Sequence, residues 1–252
     1  MNIKLIVTDL DGTLLRRDKT VSEYTSQVFQ RIRNQGVLLA FATARDFRFV
    51  TEYITPLSGI TPDILIADNG ALACYDAIEI YKKMIPRKTV NALMSQFKLV
   101  RCVSTEDSYY ISGEFSNDHW SIGKKATIIT DFSTEIMNDA LYVDGTPINH
   151  LSLIENYPEI RTVFYSDVDL ITVVHYEATK LNAMNAVKNA LNIELSEIAV
   201  FGDDYSDISV IKNGGVGVAV ANAIDEVKAV ADCICDTNDN DGVAKWIEER
   251  IL

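Results

Sequence analysis

Asp9 and Asp11 stand one residue apart at the end of the run Leu5-Ile-Val-Thr8, and Gly12 and Thr13 follow at once. Two carboxylates this close repel each other unless a cation, a proton or a hydrogen-bonding ligand offsets them, so the pair points to chemistry rather than to packing. Two other runs end in the same manner. Val37-Leu-Leu-Ala-Phe-Ala42 leads into Thr43, Ala44 and Arg45, which bring a hydroxyl and a guanidinium, and Ile198-Ala-Val-Phe201 leads into Gly202, Asp203, Asp204 and Asp207. Such carboxylates are hard oxygen ligands of the kind that suit Mg²⁺.

A strand covered on both faces reads as a continuous apolar run, and an open α/β sheet builds its site outside the carboxyl ends of such strands. Each of the three runs is followed by a helix-like stretch, which predicts three parallel strands presenting their polar ends on one edge as one site. Ser22 to Asn34 has helical patterning with an N-cap at Ser22 and a stop at Gly36. Asp46 to Tyr53 predicts a second helix and Asp63 to Ala67 a third strand, after which Asn69-Gly70 marks a turn into Ala71–Tyr75 and Ile78–Tyr81. From Lys82 to Tyr176 the character changes to short helical stretches mixed with strands near Leu99–Val103, Tyr109–Ser112, Arg161–Tyr165 and Leu170–His175, the last two joined by a hairpin turn at Ser166-Asp-Val-Asp169. This predicts an α+β insert. The main pattern resumes at Ala178 with a helix to Leu191, followed by strands at Ile198–Phe201 and Gly215–Val220 and helices from Ser206, Ala223 and Asp241.

In order along the chain, Asp9-Leu-Asp-Gly-Thr13, Thr43 in Ala-Thr-Ala-Arg, Lys180, and Gly202-Asp-Asp-Tyr-Ser-Asp207 resemble the four motifs of the haloacid dehalogenase-like hydrolases. Asp68-Asn-Gly-Ala71, Val220-Ala-Asn-Ala-Ile-Asp-Glu-Val-Lys228 and Asp241-Gly-Val-Ala244 narrow the resemblance to the Cof-like branch with a type IIB cap, and it spans essentially the whole chain. The resemblance implies an α/β fold, a Rossmann-like parallel sheet core with helices on both faces formed by residues 1–81 and 178–252, with an inserted α+β cap domain at 82–177. It also implies a Mg²⁺-dependent phosphatase that hydrolyses a small phosphorylated metabolite, such as a sugar phosphate, through an aspartyl-phosphate. A phosphomutase and a non-catalytic sensor of a phosphorylated ligand remain alternatives.

Under that resemblance Asp9 is the nucleophile, Asp11 protonates the leaving alcohol and then takes a proton from water, and Lys180 orients the nucleophile and offsets charge. Thr43 is expected to offer its hydroxyl and backbone N–H to a phosphate oxygen. Gly12, Thr43, Ala44, Arg45, Asn69 and Lys180 are the expected substrate-side residues. The metal ligands are expected to be Asp9, the backbone carbonyl of Asp11, and Asp203, with Asp207 acting from behind and Asp204 merely solvated. Asn222 is expected either near the metal loop or as turn chemistry. The chain departs from the branch at Ala44 and Leu181, where glycine is usual, and at Ser206, where asparagine is usual. None of the three removes a charged group, so activity is expected to be retained, with efficiency or substrate size affected.

A chain of 252 residues that is 48% hydrophobic can bury a sizeable core, and a formal net charge of −13 argues against nucleic acid, whose binding requires clustered cations. The same acidity repels an anionic substrate, so phosphate capture needs local positive groups such as Arg45 and Lys180. No apolar run of membrane-spanning length and no leader pattern is present, which predicts a cytoplasmic protein without a membrane partner. The four cysteines are expected to be reduced, with Cys233 and Cys235 on opposite faces of a strand. His119, His150 and His175 fall in no metal-ligand spacing, and Tyr109, Tyr110, Phe115 and Trp120 are candidate pocket aromatics in the insert.

Overall fold

The structure, a computed structural model, describes residues 1–96, 101–104, 109–112, 126–128, 140–144, 156–166 and 170–252. The chain opens with β1 (Leu5–Thr8), α1 (Glu23–Asn34) and β2 (Leu38–Ala42). A broken helical segment follows, with α2 (Phe47–Phe49) and α3 (Thr55–Ser58) flanking a π-helical turn at Val50–Ile54. Next come β3 (Ile64–Ala67), β4 (Leu72–Tyr75), β5 (Ile78–Lys82) and α4 (Arg87–Gln96). The insert contributes β6 (Arg101–Ser104), β7 (Tyr109–Ser112), β8 (Ala126–Ile128), β9 (Ala140–Asp144), β10 (Ile160–Phe164) and β11 (Leu170–His175). The return runs through α5 (Lys180–Leu191), β12 (Ile198–Gly202), α6 (Ile208–Asn213), β13 (Val216–Val220), α7 (Asp225–Lys228), β14 (Cys233–Cys235) and α8 (Gly242–Arg250).

Two sheets result. The first has eight strands in the order β14-β13-β12-β1-β2-β3-β4-β5, parallel from β14 to β3, with β4 and β5 added antiparallel. Every residue of β1, β3 and β12 is buried, and because successive side chains point to opposite faces, these strands are covered on both sides. The helices supply the cover, α1 packing with α8 and α5 with α6. The second sheet has the order β10-β11-β9-β6-β7-β8, and β10 and β11 pair antiparallel as expected, while Asp167, Val168 and Asp169 of the turn expected between them lie outside the described residues. The architecture is thus the α/β core with an α+β insert that the pattern predicted.

Local chemistry sets the element ends. Ser22 Oγ accepts the Thr25 N–H at 3.0 Å and Gly36 stands at φ 80° past the end of α1, as expected. The helix predicted for 46–53 instead continues to Ser58 through the wider π turn, because Pro56 has no N–H to give to a regular turn. Cys233 and Cys235 are both half-buried while Ile234 between them is exposed, which corrects the expectation of opposite faces: residues two apart on a strand share a face. Cys74, Cys233 and Cys235 are free thiols. His175 is structural, its Nδ1 accepting the Glu177 N–H at 3.1 Å, whereas His119, His150, Phe115 and Trp120 lie outside the described residues, as do the side chains of Tyr109 and Tyr110. No helix among the described residues is long and apolar enough to cross a membrane.

The turn between β3 and β4 governs where Lys180 sits. Asp68, Asn69 and Gly70 all have left-handed backbone, at φ 50°, 58° and 88°. A Cβ on Gly70 would lie 2.2 Å from the carbonyl carbon of Thr179, the residue that caps α5 with its hydroxyl. Glycine therefore lets this turn rest directly on the start of the helix that carries Lys180. Gly70→Ala is expected to lower the unfolding free energy by about 1–3 kcal/mol in urea denaturation, with an overpacking contact and a strained φ acting together.

Candidate active site

Asp9 follows β1 and its backbone N–H still donates to Phe201 at 3.0 Å, which sets it beside the end of β12. Lys180 is the first residue of α5 and is 2% exposed. Its Nζ donates to Asp9 Oδ1 at 2.7 Å and to Asp207 Oδ1 at 2.6 Å. The other oxygen of Asp207 accepts the N–H groups of Asp203 and Asp204 at 3.1 and 3.2 Å, so this one carboxylate both holds the loop after β12 and meets the lysine. Asp203 Oδ1 accepts the Thr13 hydroxyl at 2.5 Å, and a Cβ on Gly12 would come within 2.3 Å of Asp203 Oδ2. Gly12, at φ 79°, thus leaves room for that carboxylate to approach the turn after β1.

The result is a buried acidic cluster. Oxygens of Asp9, Asp203 and Asp207 lie within 4.8 Å of one another. Three ionised carboxylates and one ammonium leave a formal deficit of two positive charges (−3 + 1 = −2). Burial pushes the carboxyl of Asp9 up, and Asp207 and Asp11 add to this against the opposing pull of Lys180. Asp203 is raised by burial, Asp9 and Asp207. Burial works against the charge of Lys180, but Asp207 and Asp9 outweigh it and raise the ammonium above the ordinary lysine value. A divalent cation suits this cluster in sign, in size of charge and in donor chemistry, all its donors being hard oxygens.

Asp11 is placed apart from that cluster. Arg45 grips its carboxylate with a guanidinium fork through Nε and, at 2.8 Å, through Nη2, and Lys19 Nζ adds a bond of 2.7 Å. Burial alone would push Asp11 up, yet Arg45 and Lys19 prevail and bring it down to about 2. Asp11 is held here as a carboxylate. Arg45 is itself buried and stacked over the Phe49 ring at 4.5 Å, so its fork is pre-set.

The remaining expected residues divide. Thr43 is buried just past the end of β2, the strand beside β1, but its backbone N–H donates to Ile66 at 2.8 Å because the pairing of β2 with β3 runs one residue past the strand end. This corrects the expectation of a free N–H: only the hydroxyl, whose oxygen accepts the Arg45 N–H at 3.1 Å, has a hydrogen to give. Ala44 does not have positive φ, so its methyl brings no backbone strain where the branch has glycine. Asn69 is fully buried, and its N–H donates to the Thr43 carbonyl at 3.1 Å. Leu181 packs on the core and Ser206 is half-buried. Asn222 ties the Gly12 carbonyl, at 2.7 Å, to the Asn238 N–H, at 3.0 Å, a bracing role. Asp204, expected to be solvated, accepts the Ser166 N–H from the insert at 3.1 Å. Lys19 and Tyr165 were not legible as site residues, since each reaches the site through contacts that no short motif records.

The family model of the haloacid dehalogenase-like hydrolases matches residues 6–247. The chain belongs to this family. It is a phosphatase of the Cof-like branch of the haloacid dehalogenase-like hydrolases. It is 28% identical over 264 residues to the 5-amino-6-(5-phospho-D-ribitylamino)uracil phosphatase YitU of Bacillus subtilis, covering 97% of this chain and 96% of that one. A haloacid dehalogenase-like hydrolase from Bacteroides thetaiotaomicron superposes with a TM-score of 0.83 at 25% identity over 98% of this chain and 99% of the other. A subclass IIB sugar phosphatase shares the fold, with a TM-score of 0.80 at 21% identity over 98% of each chain.

Lys180→Met would leave Asp9 buried beside like charges without its ammonium. Unfolding free energy near neutral pH is expected to drop by about 3–5 kcal/mol. Because the folded-state pKa of Asp9 is raised above its unfolded value, the folded variant holds a proton that the unfolded chain has released. Part of the loss should therefore be regained as the pH falls towards the unfolded carboxylate value of about 4, as read by denaturation at two pH values.

Proposed function

We propose that the protein hydrolyses the phosphomonoester of a small phosphorylated metabolite at Asp9, with Mg²⁺ as its cofactor. The observation that carries this reading is the convergence of Asp9, Lys180, Asp203 and Asp207, from separate stretches of sequence, on one largely buried cluster with more carboxylates than cations. The name of the related B. subtilis enzyme, a phosphatase of a phosphorylated ribitylaminouracil, supports a small phosphorylated metabolite as substrate. In this reading residues 82–177 act as a cap over the core, and the free cysteines fit the reducing cytoplasm.

Asp9 Oδ attacks phosphorus, the ester P–O bond breaks, and the leaving oxygen takes its proton from Asp11. Lys180, bonded to Asp9 Oδ1, fixes the rotamer of the nucleophile and keeps a fixed positive charge beside the phosphoryl oxygens. Water then attacks the phosphorus of the aspartyl-phosphate, giving up a proton to Asp11 and returning Asp9 as a carboxylate. Mg²⁺, held by Asp9, Asp203 and the backbone carbonyl of Asp11 with Asp207 behind them, would supply the charge that allows one anion to attack another. Thr43 donates its hydroxyl to a phosphate oxygen.

Asp11 must carry a proton in the first half of this cycle, yet the Arg45 fork and Lys19 hold it ionised. The incoming phosphate offers Arg45 a second anion of matching bidentate geometry. Movement of the guanidinium from Asp11 to the phosphate would remove the stronger of the two pulls that keep this carboxyl ionised, leaving Lys19 as the other, so that Asp11 could take a proton from solvent and pass it to the leaving oxygen. The clamp and the acid role are then two states of one exchange.

Asp9→Asn is expected to reduce turnover of p-nitrophenyl phosphate in Mg²⁺ buffer by at least about 10³-fold, and wild-type activity in that variant would falsify the assignment. Asp203→Ala is expected to raise the Mg²⁺ concentration for half-maximal activity by about 10-fold or more; an unchanged titration removes Asp203 as a ligand.

A further inference from the structure

Lys19 lies outside every motif that marks the site, yet its Nζ donates to Asp11 Oδ1 at 2.7 Å. It stands in a tight turn in which the Arg16 N–H donates to the Thr20 carbonyl and the Lys19 N–H to the Arg16 carbonyl, each at 2.9 Å. Asp18 Oδ1 braces this turn from within, accepting the Thr20 N–H at 3.0 Å and the Thr20 hydroxyl at 2.5 Å. The base of the turn is tied to the far end of the chain. Arg16 Nη2 donates to both oxygens of Asp241, at 3.0 and 2.8 Å, and the Arg17 N–H donates to Asp239 Oδ1 at 3.0 Å. The lysine therefore reaches Asp11 from a fixed platform.

The backbone at Lys19 is left-handed, at φ 66°. Of the seven non-glycine residues with positive φ among the described residues, five are Asp or Asn, which tolerate that region, and Ala77 shares the two-residue turn between β4 and β5 with Asp76. Lys19 is the one left, at a position where glycine would relieve the strain. Its ion pair does not account for the choice, because a pair with side chains 41% and 29% exposed contributes little to folding. A long side chain kept on strained backbone and held on a site carboxylate points to function instead. The two oxygens of that carboxylate are bonded unequally. Among the described residues Arg45 Nε bonds Oδ2, whereas Arg45 Nη2 and Lys19 Nζ both bond Oδ1. When the guanidinium turns to a phosphate, Oδ2 loses its donor while Oδ1 keeps Lys19.

We propose that Lys19 is a positioning residue for the proton transfer, anchoring Asp11 Oδ1 so that Oδ2 carries the proton to the leaving oxygen. This rests on the reading of Asp11 as the acid of phosphomonoester hydrolysis, and it goes beyond that reading by giving the two oxygens separate tasks. In the first half of the cycle the Oδ2–H bond breaks and the proton joins the ester oxygen, which keeps the electron pair of the broken P–O bond. In the second half the attacking water gives a proton back to Oδ2 as its oxygen bonds to phosphorus. Oδ1 accepts the Lys19 hydrogen bond throughout, since a carboxyl protonated on one oxygen still accepts on the other.

The test compares benzyl phosphate with p-nitrophenyl phosphate in Mg²⁺ buffer, two esters of similar size of which the first depends far more on a proton at its leaving oxygen. Lys19→Gly and Lys19→Met are each expected to lower kcat/KM for benzyl phosphate at least about 10-fold more than for p-nitrophenyl phosphate. Lys19→Arg keeps a charged donor and should return the ratio of the two esters to within about 3-fold of the wild type. Lys19→Gly should also show a higher urea midpoint than Lys19→Met, because only glycine relieves the left-handed backbone. With the ester ratio shifted alike in both variants, the loss then follows the ammonium and not the fold. A ratio unchanged in both, a shift confined to Lys19→Gly, or a gain on benzyl phosphate overturns the assignment. The gain would mean that Lys19 acts only as a charge opposing protonation of Asp11. Failure of the underlying reading looks different: the wild type would turn over neither ester, or Asp11→Asn would lower both equally.

Discussion

The buried ammonium of Lys180, shared between Asp9 and Asp207, is the contact on which the rest of this structure depends. Its two partners come from the ends of different parallel strands, so the lysine fixes how the loops after β1 and β12 lie relative to each other. Its backbone is fixed in turn, because the Thr179 cap is pressed against the glycine turn after β3. Such a cluster is expensive to bury, and by stability alone well-packed apolar residues would serve as well. What the charges provide is a site whose electrostatic demand is unmet by the chain itself. Asp203 sharpens that demand, since it adds a third carboxylate whose direct side-chain bond is to a neutral hydroxyl. The fold is stable around a deficit of positive charge, and that deficit is the basis for expecting a divalent cation.

Much of this was legible in sequence because the informative signals are local. A buried parallel strand must be an unbroken apolar run, and the residues just beyond it must sit on the sheet edge, so Asp9, Thr43 and Asp203 could be assigned to one mouth from spacing alone. The cap of α1 at Ser22, the stop at Gly36 and the turn at Asn69-Gly70 were equally readable, each being a residue preference with a steric cause. What escaped were facts set by registry and by distant contacts. The backbone N–H of Thr43 is occupied because the pairing of β2 with β3 continues one residue past the apolar run of β2, and nothing in the composition of that strand marks the length. Asp204 reads as a solvated loop residue until the insert is folded back over it, and Tyr165 reads as one more strand tyrosine. The π-helical turn before Pro56 lay beyond helix periodicity, which assumes a regular turn.

The departures from the branch pattern can also be weighed physically. A glycine at position 44 would matter if the backbone there were left-handed, and it is not. Alanine costs nothing in backbone strain at that point. Leu181 faces the core at the first turn of α5, one residue beyond Lys180, where an apolar side chain anchors the helix that presents the lysine. These substitutions lie next to the charged groups without replacing any, which fits a retained reaction better than a site reduced to binding.

The overall charge poses the last problem. With 36 acidic and 23 basic residues the chain repels anions at long range, yet its proposed substrate is an anion. Among the described residues, the three cations placed at the site are each engaged by a carboxylate: Lys180 by Asp9 and Asp207, and Arg45 and Lys19 by Asp11. Besides the divalent cation proposed for the acidic cluster, the proposed route of capture is therefore exchange, in which a phosphate takes over a cation from a carboxylate that then becomes free to act. Arg45 is suited to this, because its guanidinium is pre-oriented on Phe49 and its present partner, Asp11, is the residue whose release the reaction needs. In the proposed exchange, the pairing of Arg45 with Asp11 would also link substrate arrival to the freeing of the acid.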